Sequence, residues 1–214
     1  MVTYFRSLLS GLLVLFVAVL PVQAQTDSTL LQEVQTRYES IDGIKAQFVQ
    51  TIESEFSSTR RTEGTLYLAG SKYRVETPQQ TFVTDGGTTW IYSPSQKQVV
   101  VNTPSGDGSD LTPETFFTNY AARYSVETSR DTSANGISYK VLDLKPTDPA
   151  ASFDDVILWV NPSNLVIERL RVRDANKNVI TIRLDDIEVN PGLSETTFQF
   201  DPPEDVEVVD LRSS

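Results

Sequence analysis

The apolar residues Leu30, Leu31, Val34, Tyr38 and Ile41 recur at three- and four-residue intervals, the spacing that lines one face of a helix. Thr26, Asp27 and Ser28 offer N-cap oxygens ahead of it, and Asp42-Gly43 ends it. The period then changes to two. Ile44, Ala46, Phe48, Ile52 and Phe56 fall in one phase, while Lys45, Gln47, Thr51, Glu53 and Glu55 fall in the other. That alternation predicts a long amphipathic strand. Similar runs predict strands at 62–69, 72–77, 81–84, 88–93 and 97–102. Ser57-Ser58, Gly70-Ser71, Pro78, Asp85-Gly86-Gly87 and Pro94-Ser95 separate them, and connections this short join antiparallel neighbours in a meander.

A helical signal returns once. Thr112-Pro113-Glu114 reads as a cap with proline in the first turn, Leu111 and Phe116 are placed as a hydrophobic staple, and Phe116, Phe117 and Tyr120 form a bulky face. Strand patterns resume at 124–128, 137–145, 155–161, 165–173, 179–189 and 196–200. No linker or low-complexity stretch divides them, so eleven or twelve strands and two helices predict one mainly β domain with α elements. Antiparallel sheets of more than about ten strands curl, split or close. The pattern leaves two architectures open, a packed sandwich and an open barrel whose apolar cavity is lidded by the two helices.

Composition narrows the chemistry. The chain of 214 residues holds no cysteine and no histidine. That removes Ser-His-Asp and Cys-His nucleophiles, HExxH zinc sites and CxxC pairs, leaving only carboxylates for catalysis. The pairs Asp154-Asp155 and Asp185-Asp186 form no dyad, because adjacent strand residues point to opposite faces, and read as solvated surface, because acids are rarely buried unpaired. The loop Gly106-Asp107-Gly108-Ser109-Asp110 lacks the bidentate glutamate of a calcium loop, so no metal site and no cofactor are expected. A net charge of −11 argues against nucleic acid.

The first 24 residues read as a secretory signal peptide. Arg6 is the positive start, Leu8 to Leu20 form the apolar core, and Pro21-Val22-Gln23-Ala24 ends in the small-residue cleavage pattern. The core is about a dozen residues, short of the roughly 20 of a membrane span. Cleavage after Ala24 leaves residues 25–214 as a single domain. Losing Arg6 from 18 basic residues leaves 17 against 29 acidic, net −12. A disulfide-free exported chain must be held by apolar burial.

Phe48-Val49-Gln50, Gly64-Thr65-Leu66, Tyr73-Arg74-Val75-Glu76, Asp85-Gly86 with Thr89-Trp90-Ile91-Tyr92, and Phe198-Gln199-Phe200-Asp201-Pro202-Pro203 with Val206-Glu207-Val208 stand in an order and spacing that resemble the LolA family of periplasmic outer-membrane lipoprotein carriers. The likeness runs from Leu30 to Asp210. It implies an incomplete antiparallel β-barrel of about eleven strands, with helices as a lid over an apolar cavity. It further implies a monomeric periplasmic carrier, not an enzyme, that moves lipoprotein acyl chains from the inner to the outer membrane. Its partners would be acylated lipoproteins, an inner-membrane ABC-type lipoprotein-releasing transporter and an outer-membrane lipoprotein acceptor.

On that reading the lid face is Leu30, Leu31, Val34 and Tyr38, and the lipid-contacting candidates are Phe48, Leu66, Leu68, Tyr73, Val75, Trp90, Tyr92, Phe116 and Phe117. For any single strand residue among them ordinary core is the stronger reading, and alternation places Ile91 opposite Trp90 and Tyr92. One departure stands out. Family members carry Arg-Pro after the strand corresponding to 64–68, proposed to hold the lid, whereas this chain has Leu68-Ala69-Gly70-Ser71-Lys72. Lys72 lacks the donor fork of arginine. The departure keeps open a related lipid- or glycolipid-sensing module, and a carboxylate hydrolase would require two acids converging across a cleft. Secretion of the full chain should give a protein beginning at Gln25, checked by intact mass; retention of residues 1–24 would refute the leader.

Overall fold

The computed structural model describes residues 23–104, 123–147 and 153–212. Helix α1 (Gln23–Glu39) precedes β1 (Ile44–Glu53), β2 (Arg60–Ala69), β3 (Lys72–Glu76), β4 (Thr81–Thr84), β5 (Thr89–Ser93) and β6 (Gln98–Asn102). Then come β7 (Tyr124–Ala134), β8 (Ile137–Pro146), β9 (Phe153–Asn161), β10 (Val166–Asp174), β11 (Val179–Val189) and β12 (Glu207–Asp210). The expected leader up to residue 22, the 112–120 helix with Phe116 and Phe117, and the 106–110 loop lie outside the described residues.

All twelve strands form one sheet in the order β12-β6-β5-β4-β3-β2-β1-β11-β10-β9-β8-β7. Two meanders meet where β1 pairs with β11, and only β12, lying parallel to β6, departs from antiparallel pairing. The end strands β7 and β12 do not pair with each other, so the sheet stays unclosed. This is the open architecture, not the sandwich.

Register assigns the faces. Ile44, Ala46 and Phe48 stand opposite Leu68, Leu66 and Gly64, and Leu66 and Leu68 oppose Val75 and Tyr73. These residues share a core with Leu31, Val34 and Tyr38 of α1, with Leu142 and Leu144 of β8, and with Leu158, Leu170 and Leu184. The helix-covered side is therefore the inner face. Gly64 has a packing reason: a Cβ there would come within 2.8 Å of the Phe48 ring and 2.1 Å of the Glu76 carbonyl oxygen.

Four expectations change. Thr26, Asp27 and Ser28, expected ahead of the helix, fall within the bounds of α1, Gln23–Glu39. Phe56, expected as the last inward residue of β1, lies beyond its end and is 87% exposed. β7 continues past 128 through polar residues, carried by its pairing with β8 across an Asn135-Gly136 turn whose φ values of 51° and 80° suit a tight hairpin. The strand expected at 196–200 is a 3-10 turn over Glu195–Phe198, closed by Thr197 N–H on the Ser194 carbonyl at 3.0 Å. Alternation of Thr196, Phe198 and Phe200 mimics a strand there.

Because the clash at Gly64 involves backbone, Gly64→Ala should destabilise by about 2 kcal/mol, the usual cost of overpacking. Thermal unfolding should show a Tm lowered by about 4–8 °C for a domain of this size; an unchanged Tm would mean the Phe48 contact is dispensable.

Candidate functional site

The inner face changes character along the strands. Where α1 ends, its side chains are fully packed: Ile44, Ala46 and Phe48 of β1, Leu66 and Leu68 of β2 and Leu184 of β11 are all buried. Towards the opposite end the same faces carry half-buried Ile52, Ile180 and Ile182, with Val75, Phe82, Val126 and Phe153 also packed against the core but incompletely covered. The result is an apolar strip that runs out from under the helix. Buried polar residues among those described are Thr84 and Ser93, so no carboxylate is buried there.

Of the lid candidates, Leu31, Val34 and Tyr38 are buried and Leu30 packs at the margin of the core. The helix is tied at its C-terminal end. Ile167 N–H donates to Tyr38 Oη at 3.0 Å, and Arg37 Nε donates to the Asn164 carbonyl at 3.3 Å. Asn190 Oδ1 accepts from Asp42 N–H at 2.8 Å and Gly43 N–H at 3.4 Å, fixing the following turn. Lys72 plays no part in this, for it pairs with Glu195 at 2.5 Å on the outer face.

The lipid-contact candidates divide between faces. Phe48, Leu66, Leu68, Tyr73 and Val75 come together on the inner side. Trp90 pairs with Val83 and Val101, and Tyr92 with Val99, which places both on the outer side. There Val83, Val99, Val101 and Phe198 are buried, and Phe200 meets Tyr92 at 5.6 Å between ring centroids. The segment around 195–200 covers this second core, with Arg74 Nη1 donating to the Thr197 carbonyl at 3.4 Å. The inner partners at that level are Phe82 and Ile91, paired with each other. Sequence reasoning passed over Phe82, Val126, Phe153, Ile180 and Ile182; each falls in the inward phase once its strand is registered to its neighbour.

The acid pairs are external. Asp155 accepts from Lys145, a hydrogen bond that holds its carboxyl below the usual range, and Arg173 adds a contact at 3.3 Å. Asp185 pairs with Arg183 at 3.0 Å, and Asp186 takes a left-handed conformation, φ 49°, where the β1–β11 register shifts. An outer-face groove of about 320 Å³ is lined by such charged groups, including Arg130, Asp143, Lys145 and Arg171. It does not suit an alkyl chain. No group of potential metal ligands occurs among the described residues, and no described helix is long and apolar enough to cross a membrane.

An unclosed sheet with a helix over an apolar inner face has the form of a binding protein for apolar ligands. The family model described as outer membrane lipoprotein carrier protein LolA matches residues 39–201, and the chain belongs to that family. It is 30% identical over 175 residues to an outer-membrane lipoprotein carrier protein of Neisseria meningitidis, covering 78% of this chain and 81% of that one. It is 28% identical over 191 residues to the one from Legionella pneumophila, covering 87% and 91%. A solved structure of a conserved Thermus thermophilus protein shares the fold, with a TM-score of 0.56 at 15% identity over 84% of this chain and 98% of that one.

Burial pushes the Tyr38 phenol well above its ordinary value of 10.0. The folded state therefore keeps a proton that the unfolded chain releases, so stability falls as pH rises above 10. Tyr38→Phe should cost about 1–2 kcal/mol at neutral pH by leaving the Ile167 N–H without its acceptor. It should also flatten the alkaline loss. Denaturant melts at neutral and alkaline pH check both, and an unchanged alkaline slope would refute the assignment.

Proposed function

We propose that this protein carries the acyl chains of lipoproteins on its inner face and moves them through the periplasm from the inner to the outer membrane. The observation that carries the reading is the half-buried apolar strip emerging from beneath α1 in a chain of the lipoprotein carrier family. Each methylene taken from water is worth about 0.8 kcal/mol, so a chain of ordinary length gains on the order of 10 kcal/mol. That is enough to hold a lipid in solution.

Release requires the gain to be partly offset. Opening α1 exposes Leu31, Val34 and Tyr38 and breaks the Tyr38 and Arg37 hydrogen bonds, and these costs set the affinity. The chain acts as a carrier and not an enzyme, and the external placement of Asp155 and Asp185 supports this. It takes cargo from an ABC-type transporter in the inner membrane and passes it to an acceptor at the outer membrane. The family's Arg-Pro latch is replaced by Tyr38 and Arg37, which grip the β9–β10 turn and the start of β10.

Protein purified from its native compartment should carry acylated peptide by mass spectrometry, and depletion should strand lipoproteins in the inner membrane. Co-purified free glycolipid with normal sorting would instead indicate the sensing module. Ile182→Asp, at a half-buried position, should leave the fold intact and weaken binding of a triacylated peptide at least about ten-fold, the order expected for charge placed against alkyl chain. Unchanged binding would put the ligand elsewhere.

A further inference from the structure

Phe56 is the most exposed large apolar side chain among the described residues, at 87%. It stands in the six-residue connection between Glu53 and Arg60, amid Ser54, Ser57, Ser58 and Thr59. Its place in the fold gives that exposure meaning. Along β1 the inward phase passes from buried Phe48 through half-buried Ile52 to this tip, and β11 beside it passes from buried Leu184 through half-buried Ile182 and Ile180. Phe56 thus lies at the end of the strip on which the acyl chain is placed. Since Val179 pairs with Glu53, the β10–β11 turn bearing Lys177 is the neighbour of this hairpin. Arg60 and Lys177 make no ion pair among the described residues, whereas Arg61 is held by Glu63 at 2.5 Å.

We propose that the β1–β2 hairpin is a bilayer contact: Phe56 enters the interface of a phospholipid membrane while Arg60 and Lys177 reach lipid phosphates. Aromatic rings favour that depth, and long cationic side chains keep their heads at the headgroups while their stems lie along apolar surface. A protein pocket is the poorer occupant, because one ring among serines offers little of the contiguous apolar area that a stable interface buries. Glu53 and Glu55 share the tip and oppose deep insertion, so the contact is shallow and reversible. An acyl chain leaving the strip then passes from Ile52 past Phe56 into lipid without crossing water. That last step rests on the carrier reading; the membrane contact does not.

The test places tryptophan at the tip of the mature chain. Phe56→Trp, measured against the parent with its own Trp90 and Trp159, is mixed with vesicles of equal parts phosphatidylethanolamine and phosphatidylglycerol, with or without brominated acyl chains. A blue shift and bromine quenching of the added tryptophan are expected. Emission indifferent to vesicles, in a protein with unchanged circular dichroism, overturns the proposal, as does a response only to an acceptor protein. In a second arm, Phe56→Ser should load triacylated peptide like the parent but transfer it to these vesicles about ten-fold more slowly, the effect of losing one buried ring. Equal transfer rates overturn direct delivery. Failure of either protein to bind the peptide would instead sink the carrier reading while leaving the fluorescence result standing.

Discussion

The structure depends on the alternation of β1. This strand lies at the seam of two meanders and pairs along nearly its whole length with both β2 and β11, so its phase is imposed on each neighbour in turn. A one-residue slip would turn Phe48 outward and present Lys45 and Gln47 to the helix. The slip is resisted by shape as well as polarity: Phe48 lies over Gly64, the position on β2 where a side chain would strike both that ring and the Glu76 carbonyl. From this pair outward, Leu66, Val75, Phe82 and Ile91 are each placed by a cross-strand partner.

The helix contributes differently. α1 buries Leu31, Val34 and Tyr38, and the Tyr38 hydroxyl accepts a backbone N–H where β10 has a register shift, between Ile167 and Arg169. That N–H falls at an irregular point of the ladder, where the Tyr38 hydroxyl serves as its acceptor. A tether built from one buried hydroxyl and one guanidinium is of the strength that a ligand gaining several kcal/mol can displace. The sheet, with its continuous ladders, is not.

Most of the sheet was legible because period two is written plainly in β1 and β11, whose residues alternate through charged or polar partners. The helix was legible for the same reason at another period. Faces were less so. Trp90 and Tyr92 look like ligand-contacting aromatics, yet the phase of β5 can be read only after β4 is registered to β3, and that register puts Ile91 inside. Phe198 and Phe200 misled because residues spaced by two suit a strand and a 3-10 turn over a second core alike. Phe56 extended a true alternation past the point where pairing stops. Local period reveals an element; which side becomes interior is a property of several strands together.

That second core bears on how a binding protein of this form stays folded. On the proposed reading, strands whose inner face accepts a ligand cannot draw all their stability from packing on that face, since a filled interior leaves no room. β4, β5 and β6 carry half-buried Phe82, Ile91 and Val100 inward, a poor anchorage. Outward they carry Val83, Val99 and Val101, buried with Phe198. Four such side chains supply on the order of 10 kcal/mol, largely independent of what happens on the inner face. The outer face of β3 is held by the same segment, through Arg74 to the Thr197 carbonyl and Lys72 to Glu195. In a carrier of the proposed kind, stability is thereby separated from binding: the outer core keeps the strands in place whatever the inner strip holds, and the sheet need not close to remain ordered.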